Sequence, residues 1–170
     1  MSTKPTATPR SLLVRAADRA RLPEESQAHP LNPLSEIHGH ALSQLVGLQR
    51  TGVYLLRIPP GKESFVYHSH ALEEEWMYVL SGRGLAEIGE EQHEVGPGDF
   101  IGFPTPSVAH HLRNPFSEDL VYLSSGERRE MEVADFPRQG KRMVRVGTQV
   151  SLYPRDQVQT FSLPEPEDKG

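Results

Sequence analysis

Residues 61–82, GKESFVYHSHALEEEWMYVLSG, carry the reading that decides the fold. His68 and His70 alternate within them, four residues separate His70 from Glu75, and a run of strand formers leads to Gly82. On a strand, residues i and i+2 share a face, so the two imidazoles stand side by side. One straight strand cannot carry Glu75 to that same face, so the spacing predicts a bend over residues 71–74. Beyond the bend, Glu75, Met77 and Val79 share one face, and Trp76, Tyr78 and Leu80 share the other. Two imidazoles and a carboxylate gathered at a bend are N and O donors for a divalent transition metal.

A His-x-His pair is weak evidence by itself in a chain with eight His, and His38-Gly39-His40 repeats the pattern with no acidic residue at a useful spacing after it. That second pair reads as surface or hydrogen-bonded histidine. The first gains weight from residues 98–114, GDFIGFPTPSVAHHLRN. These have the form of a strand, a proline-rich turn and a second strand that carries His110, with His111 on its outer face. A fourth donor from a distant strand completes three imidazoles and one carboxylate. From the residues alone, Glu73, Glu74 and Glu75 remain alternatives for the carboxylate.

The two stretches together resemble the cupin superfamily. Its first motif runs Gly, five residues, His-x-His, three or four residues, Glu, six residues, Gly. Here the order is Gly61, six residues, His68-Ser69-His70, four residues, Glu75, six residues, Gly82. The second motif runs Gly, five residues, Pro-x-Gly, two residues, His, three residues, Asn. Here it is Gly98, five residues, Pro104-Thr105-Pro106, three residues, His110, three residues, Asn114. The departures lengthen two turns and replace one Gly by Pro106 without removing a ligand. The six-residue gap to Gly82 selects Glu75 over Glu74, and counting back from Asn114 selects His110 over His111. The resemblance implies an all-β double-stranded β-helix, a jelly-roll cupin barrel with an N-terminal arm and a short C-terminal extension. The chain also resembles small single-domain bacterial cupins of unassigned function.

The rest of the chain agrees with many short strands. It has 170 residues with 14 Gly and 15 Pro, suited to one domain of strands joined by turns. Residues 1–10 read as a disordered N-terminus, 11–153 as the cupin domain with its arm, and 154–170 as a polar, frayed tail with Phe161 docked. Residues 11–22 suit either a short edge strand or a helical turn, and 23–33 a loop. Strands are expected over residues 53–58, 85–88, 93–95, 100–103, 120–124, 132–136, 143–146 and 149–153, and a solvated charged segment over 126–130. With no Cys, disulfides and thiolate metal sites are excluded, so any metal must use His and carboxylate. The polar start MSTKPTATPR has no apolar core and no stretch is long enough to span a membrane, which predicts a cytoplasmic protein. A net charge of −5 without a basic block argues against nucleic acid as a partner.

The resemblance implies one divalent transition metal per chain, held by His68, His70, Glu75 and His110. Zn, Fe(II), Mn(II), Ni and Cu(II) all accept imidazole with carboxylate. Four protein ligands leave positions for a small-molecule ligand, around which Met77, Val79, Val108 and Leu112 are expected to form an apolar pocket. The function expected is that of a metal-dependent enzyme on a small oxygen-rich metabolite, of dioxygenase, isomerase or decarboxylase type. A non-catalytic binding or sensing cupin that retains its metal is the alternative. The outer stripe of Trp76, Tyr78 and Leu80 is expected either under the chain's own arm or in a homodimer contact.

Overall fold

The computed structural model describes residues 11–162, so the expectations for 1–10 and 163–170 lie outside the described residues. The strands are β1 (Glu25–Gln27), β2 (Ile37–His40), β3 (Thr51–Ile58), β4 (Ser69–His70), β5 (Glu75–Ser81), β6 (Gly84–Ile88) and β7 (Glu91–Val95). They continue as β8 (Phe100–Phe103), β9 (His110–Arg113), β10 (Leu120–Glu127), β11 (Met131–Phe136), β12 (Lys141–Val146) and β13 (Gln149–Pro154). Two short helices, α1 (Ala16–Arg19) and α2 (Leu42–Val46), complete the regular structure with two single 3₁₀ turns. The segment 11–22 thus resolves as a helical turn, and the expected loop at 23–33 contributes the edge strand β1.

One sheet runs β1-β2-β3-β10-β5-β8, a second β13-β12-β11-β4, and a third β7-β6-β9, with every ladder antiparallel. This is a jelly-roll barrel. Alternation along the strands sets its inside. On β3 the inward set is Gly52, Tyr54, Leu56 and Ile58; opposite it on β10 stand Gly126, Ser124, Tyr122 and Leu120. Ile58, Val79, Leu120, Tyr122 and Leu112 are almost wholly buried in one core that also takes in Ile37, Met77 and Phe103. Burial of such side chains is worth roughly 1.5–3 kcal/mol each, which holds the sheets face to face. Gly82 closes β5 at φ +77°, where a Cβ would collide with the Asp119 carbonyl, so the motif glycine has a steric cause.

Three expectations change. β10 extends through Glu127, so 126–130 is not merely a solvated run: Gly126 and Arg128 line an interior cavity. Phe161 is exposed rather than docked. The outer stripe is not covered by the arm: Tyr78 and Leu80 are exposed, with Phe100 beside Trp76 at a ring separation of 5.9 Å.

The outer face of β6 and β9 carries a buried ionic network instead of water-facing side chains. Glu87 sits opposite His111 in the ladder and accepts hydrogen bonds from His111 Nδ1 (3.1 Å), Arg113 Nη1 (3.0 Å) and Arg138 Nη1 (2.7 Å). Burial favours the neutral acid, but the hydrogen bonds from Arg138, His111 and Arg113 outweigh it and hold the Glu87 pKa at about 2. An unfolded glutamate titrates near about 4.3. The stabilisation is therefore complete above that value and is lost as pH falls through the folded one. We expect Glu87→Gln to lower stability by about 3 kcal/mol at pH 7, because buried cations lose their partner. The gap to wild type should narrow at pH 3; denaturant unfolding that finds the same gap at both pH values would refute the assignment.

Candidate metal centre

The site begins with a pair of backbone hydrogen bonds. His68 N–H donates to the His110 carbonyl (3.1 Å) and His110 N–H donates to that of His68 (2.7 Å), an antiparallel bridge that brings the two motifs together. His70 is pinned in the same way. Its N–H donates to Ser107 Oγ (2.7 Å) and its carbonyl accepts from Ser107 N–H (2.8 Å), so the proline-rich turn before β9 grips β4. The bend at residues 71–74 then delivers Glu75 at the start of β5, as its spacing requires.

Four side chains meet across this bridge. His68 Nε2 lies 3.0 Å from His70 Nε2, and Glu75 Oε2 lies 3.1 Å from His110 Nε2, 3.3 Å from His70 Nε2 and 3.9 Å from His68 Nε2. Donors that share one ion at about 2.1 Å, separated by tetrahedral or right angles, stand about 3.0–3.4 Å apart. Three of the four separations fall in that range and the His68–Glu75 one is wider, and His68, His70, Glu75 and His110 form a candidate metal-binding cluster.

Tautomers argue the same way. His68 Nδ1 faces the Val66 carbonyl at 2.7 Å and His110 Nδ1 faces that of Val108 at 2.9 Å. A carbonyl can only accept, so each Nδ1 carries the proton, and the neutral His68 ring turns its Nε2 lone pair to the centre. Burial holds the His68 pKa down to about 3 against the pull of Glu75, with His110 and His70 adding to the depression. Glu75 is held below the ordinary carboxylate range: burial opposes this, but hydrogen bonds with His110 and His70 prevail. Ser124 Oγ donates to its other oxygen at 3.3 Å. His110, fully buried, is further fixed by the Phe103 ring stacked on it, with centroids 3.5 Å apart and planes 9° from parallel.

Glu132 is a site residue that the sequence did not single out. Buried on β11, it accepts at Oε1 from the N–H groups of Ala71 (2.9 Å) and Leu72 (3.3 Å), and so holds the bend. The same oxygen stands 3.6 Å from His70 Nδ1. Burial disfavours the charged form of His70, yet the hydrogen bond to Glu75 and the charges of Glu75, Glu132 and Glu73 raise its pKa. No motif spacing leads to Glu132. The only signal was an acidic residue inside an otherwise strand-like segment.

His111 lies on the outer face as expected, but there it is buried between Glu63 and Glu87, and it takes no part in the cluster. Glu73 is engaged by Arg145 and by the Arg129 N–H, while Glu74 is exposed. Val108 is exposed rather than pocket-forming and contributes its carbonyl to His110. Val79 and Leu112 belong to the core. Of the four expected pocket residues, Met77 lines the cavity, which has a volume of about 540 Å³. Ile37, Leu56, Phe65 and Tyr122 supply the rest of its apolar wall, and His68, His70 and Glu75 open into it. That size suits a small metabolite.

A jelly-roll barrel with histidines and a carboxylate gathered at an interior cavity defines a cupin-type protein. Residues 54–126 match the model of the Cupin domain family. A provisionally named sugar phosphate isomerase of Acidithiobacillus ferrooxidans is similar over 91% of this chain and 99% of its own, with 38% identity and a TM-score of 0.88. The chain belongs to the cupin superfamily. A sugar phosphate isomerase of Silicibacter pomeroyi, 22% identical, covers 82% of this chain and 90% of its own at a TM-score of 0.72. It bears on the fold alone. An uncharacterized protein of Methanocaldococcus jannaschii is 39% identical over 57 residues, which span 34% of this chain and 44% of that protein.

The tautomers are directly measurable. In ¹⁵N NMR of metal-free protein, His68 and His110 should both show a protonated Nδ1, and His68 should keep an unprotonated Nε2 until pH nears about 3. An Nε2–H form of His68, or its titration near about 6.5, would contradict its inward lone pair.

Proposed function

We propose that His68, His70, Glu75 and His110 bind one divalent transition metal, and that the chain is a metal-dependent enzyme of isomerase type on a small oxygen-rich metabolite. The observation that carries the reading is the convergence of four electron-pair donors on one point beside a metabolite-sized cavity. A cation at that point would take the Nε2 lone pairs and the ionised carboxylate in place of the hydrogen bonds that link Glu75 to His110 and His70. The name borne by the Acidithiobacillus ferrooxidans relative supports isomerisation over the decarboxylase and dioxygenase readings.

When bound, the metal supplies Lewis acidity toward a carbonyl or hydroxyl oxygen of the substrate. The chain's own residues set the terms. His68 and His110 are held by their carbonyl contacts so that Nε2 has one orientation, which lowers the cost of ordering the ligands. Ser124 holds one oxygen of Glu75 and leaves Oε2 for the centre. Ile37, Leu56, Met77 and Phe65 exclude water from the substrate's carbon skeleton. Burial first, and the Glu75 charge second, push the Tyr122 phenol pKa upward, so that its Oη keeps its proton beside the carboxylate.

Purified without an affinity tag, the protein should bind one divalent ion per chain. His110→Ala should weaken binding at least 10- to 100-fold, while His111→Ala should retain the metal and lose stability. Affinity should fall as pH drops through the His70 titration, which its carboxylate neighbours raise above the ordinary histidine value, since ligand imidazoles must be neutral. For the reaction, sugar phosphates should incorporate solvent deuterium next to the carbonyl only with metal-loaded protein. Metal binding without exchange across such a panel would reject the isomerase reading and leave a metal-retaining binder.

A further inference from the structure

The cavity has a second polar end, built on the inward faces of β3 and β10. Register places Ser124 opposite Tyr54 and Gly126 opposite Gly52, and Arg128 follows β10 with its N–H bonded to the Arg50 carbonyl (2.9 Å). Arg128 Nη2 donates to Tyr54 Oη at 2.6 Å. The pair meets above Gly52: a Cβ there would lie 3.2 Å from Arg128 Nε, 3.2 Å from Tyr54 Oη and 2.8 Å from the Tyr54 ring. Gly52 and Gly126 face each other in the ladder, and Gly126 pairs in turn with Glu75 on β5, so this pair and the metal cluster share one wall of the cavity.

The charges around the rim separate Arg128 from its neighbours. Arg145 is paired with Glu73, and Arg129 with Glu127. Glu74 lines the same rim but is exposed, where water screens its charge. Arg128 is half-buried, lines the cavity and has no carboxylate partner among the described residues; its one side-chain acceptor is the Tyr54 phenol. Since that phenol oxygen accepts from Arg128, its own proton is left to donate elsewhere. A guanidinium with spare N–H groups beside a free O–H is the donor set that an oxyanion requires.

We propose that Arg128 and Tyr54 bind the anionic group, carboxylate or phosphate, of a small ligand whose other end reaches the His68–His70–Glu75–His110 cluster. The inference rests on the reading that a small oxygen-rich metabolite occupies this cavity. Register sets the two ends close together: Ser124, opposite Tyr54, touches Glu75, and Gly126, opposite Gly52, pairs with Glu75 itself. A short-chain sugar acid or sugar phosphate is small enough to set its hydroxyl or carbonyl oxygens at one end and its anion at the other.

The test uses the full chain, metal-free and metal-loaded, with three probes that share a polyol skeleton: glycerol 3-phosphate, glycerate and uncharged glycerol. Binding is read from the Arg128 side-chain Nε–H resonance in ¹H–¹⁵N NMR spectra. The anions should shift that resonance and glycerol should not. A stronger response to glycerol 3-phosphate assigns phosphate as the natural anion, and a stronger response to glycerate assigns carboxylate. Backbone resonances around Gly52 and Gly126 then give the affinities of variants. Arg128→Gln should weaken anion binding at least tenfold, Tyr54→Phe by a few-fold, and Arg129→Gln not at all. Arg128→Lys should recover part of the loss, which shows that the charge matters beyond packing. Anion binding equal in wild type and Arg128→Gln, or absent from the wild type, would reduce Arg128 to a packing role and overturn the proposal. The readings fail separately: Arg128→Gln should keep its metal, whereas His110→Ala should lose metal and keep the anion-induced shift at Arg128.

Discussion

Everything at the centre of this protein depends on the reciprocal hydrogen bonds between the backbones of His68 and His110. Those residues lie 42 positions apart, and only the bridge brings their side chains to a common point. Side-chain donors on long chains would lose much rotameric freedom on gathering; here the backbone has already met most of that cost. The imidazoles need only the carbonyl contacts of Val66 and Val108 to fix their remaining torsion. Glu132 and Ser107 extend the arrangement to His70, one through the bend and the other through the opposing turn.

This construction explains why four polar donors can crowd together inside an apolar barrel. Buried lone pairs that face one another are unfavourable, and a packed core normally satisfies or excludes them. The sheets resist relaxation because the strands that carry the donors also carry the core. Met77 and Val79 follow Glu75 on its face of β5, and Leu112 follows His110 on its face of β9. Rotating a donor away from the centre would expose these neighbours or strain them. Packing thus holds the four donors together, and the adjoining cavity gives small molecules access to them.

The sequence made the barrel and the four central donors legible because both follow from short-range spacing. Period-two alternation gave the faces of β5 correctly, and the odd separation of His70 and Glu75 required the bend that the structure contains. What stayed hidden depends on contacts between distant elements. Glu132 acts through β4, to which β11 pairs, and no local pattern records that pairing. Residues 126–130 looked solvated because they are charged; the ladder with β3 and β5 draws Gly126 and Glu127 into the sheet. Val108 alternates with His110 as a pocket residue should, but its segment lies in the turn before β9, where alternation no longer applies.

The adjacent histidines of β9 put the logic of alternation in its sharpest form. His110 faces the barrel interior and turns its Nε2 to the cluster, whereas His111 faces outward and is clasped by Glu87 and Glu63. Both are buried and both have acidic partners, so composition and burial cannot tell them apart. Register can. A slip of one residue in β9 would exchange the two rings, placing His111 among the central donors and His110 against Glu87. It would also turn Leu112 out of the core and send Arg113 into it, at the cost of an unpaired buried guanidinium. The ionic network on the outer face therefore acts as a register lock, because Glu87, Arg113 and Arg138 accept only the alignment that keeps His110 inside. In this barrel, charges on the outer face determine which histidine can reach the interior.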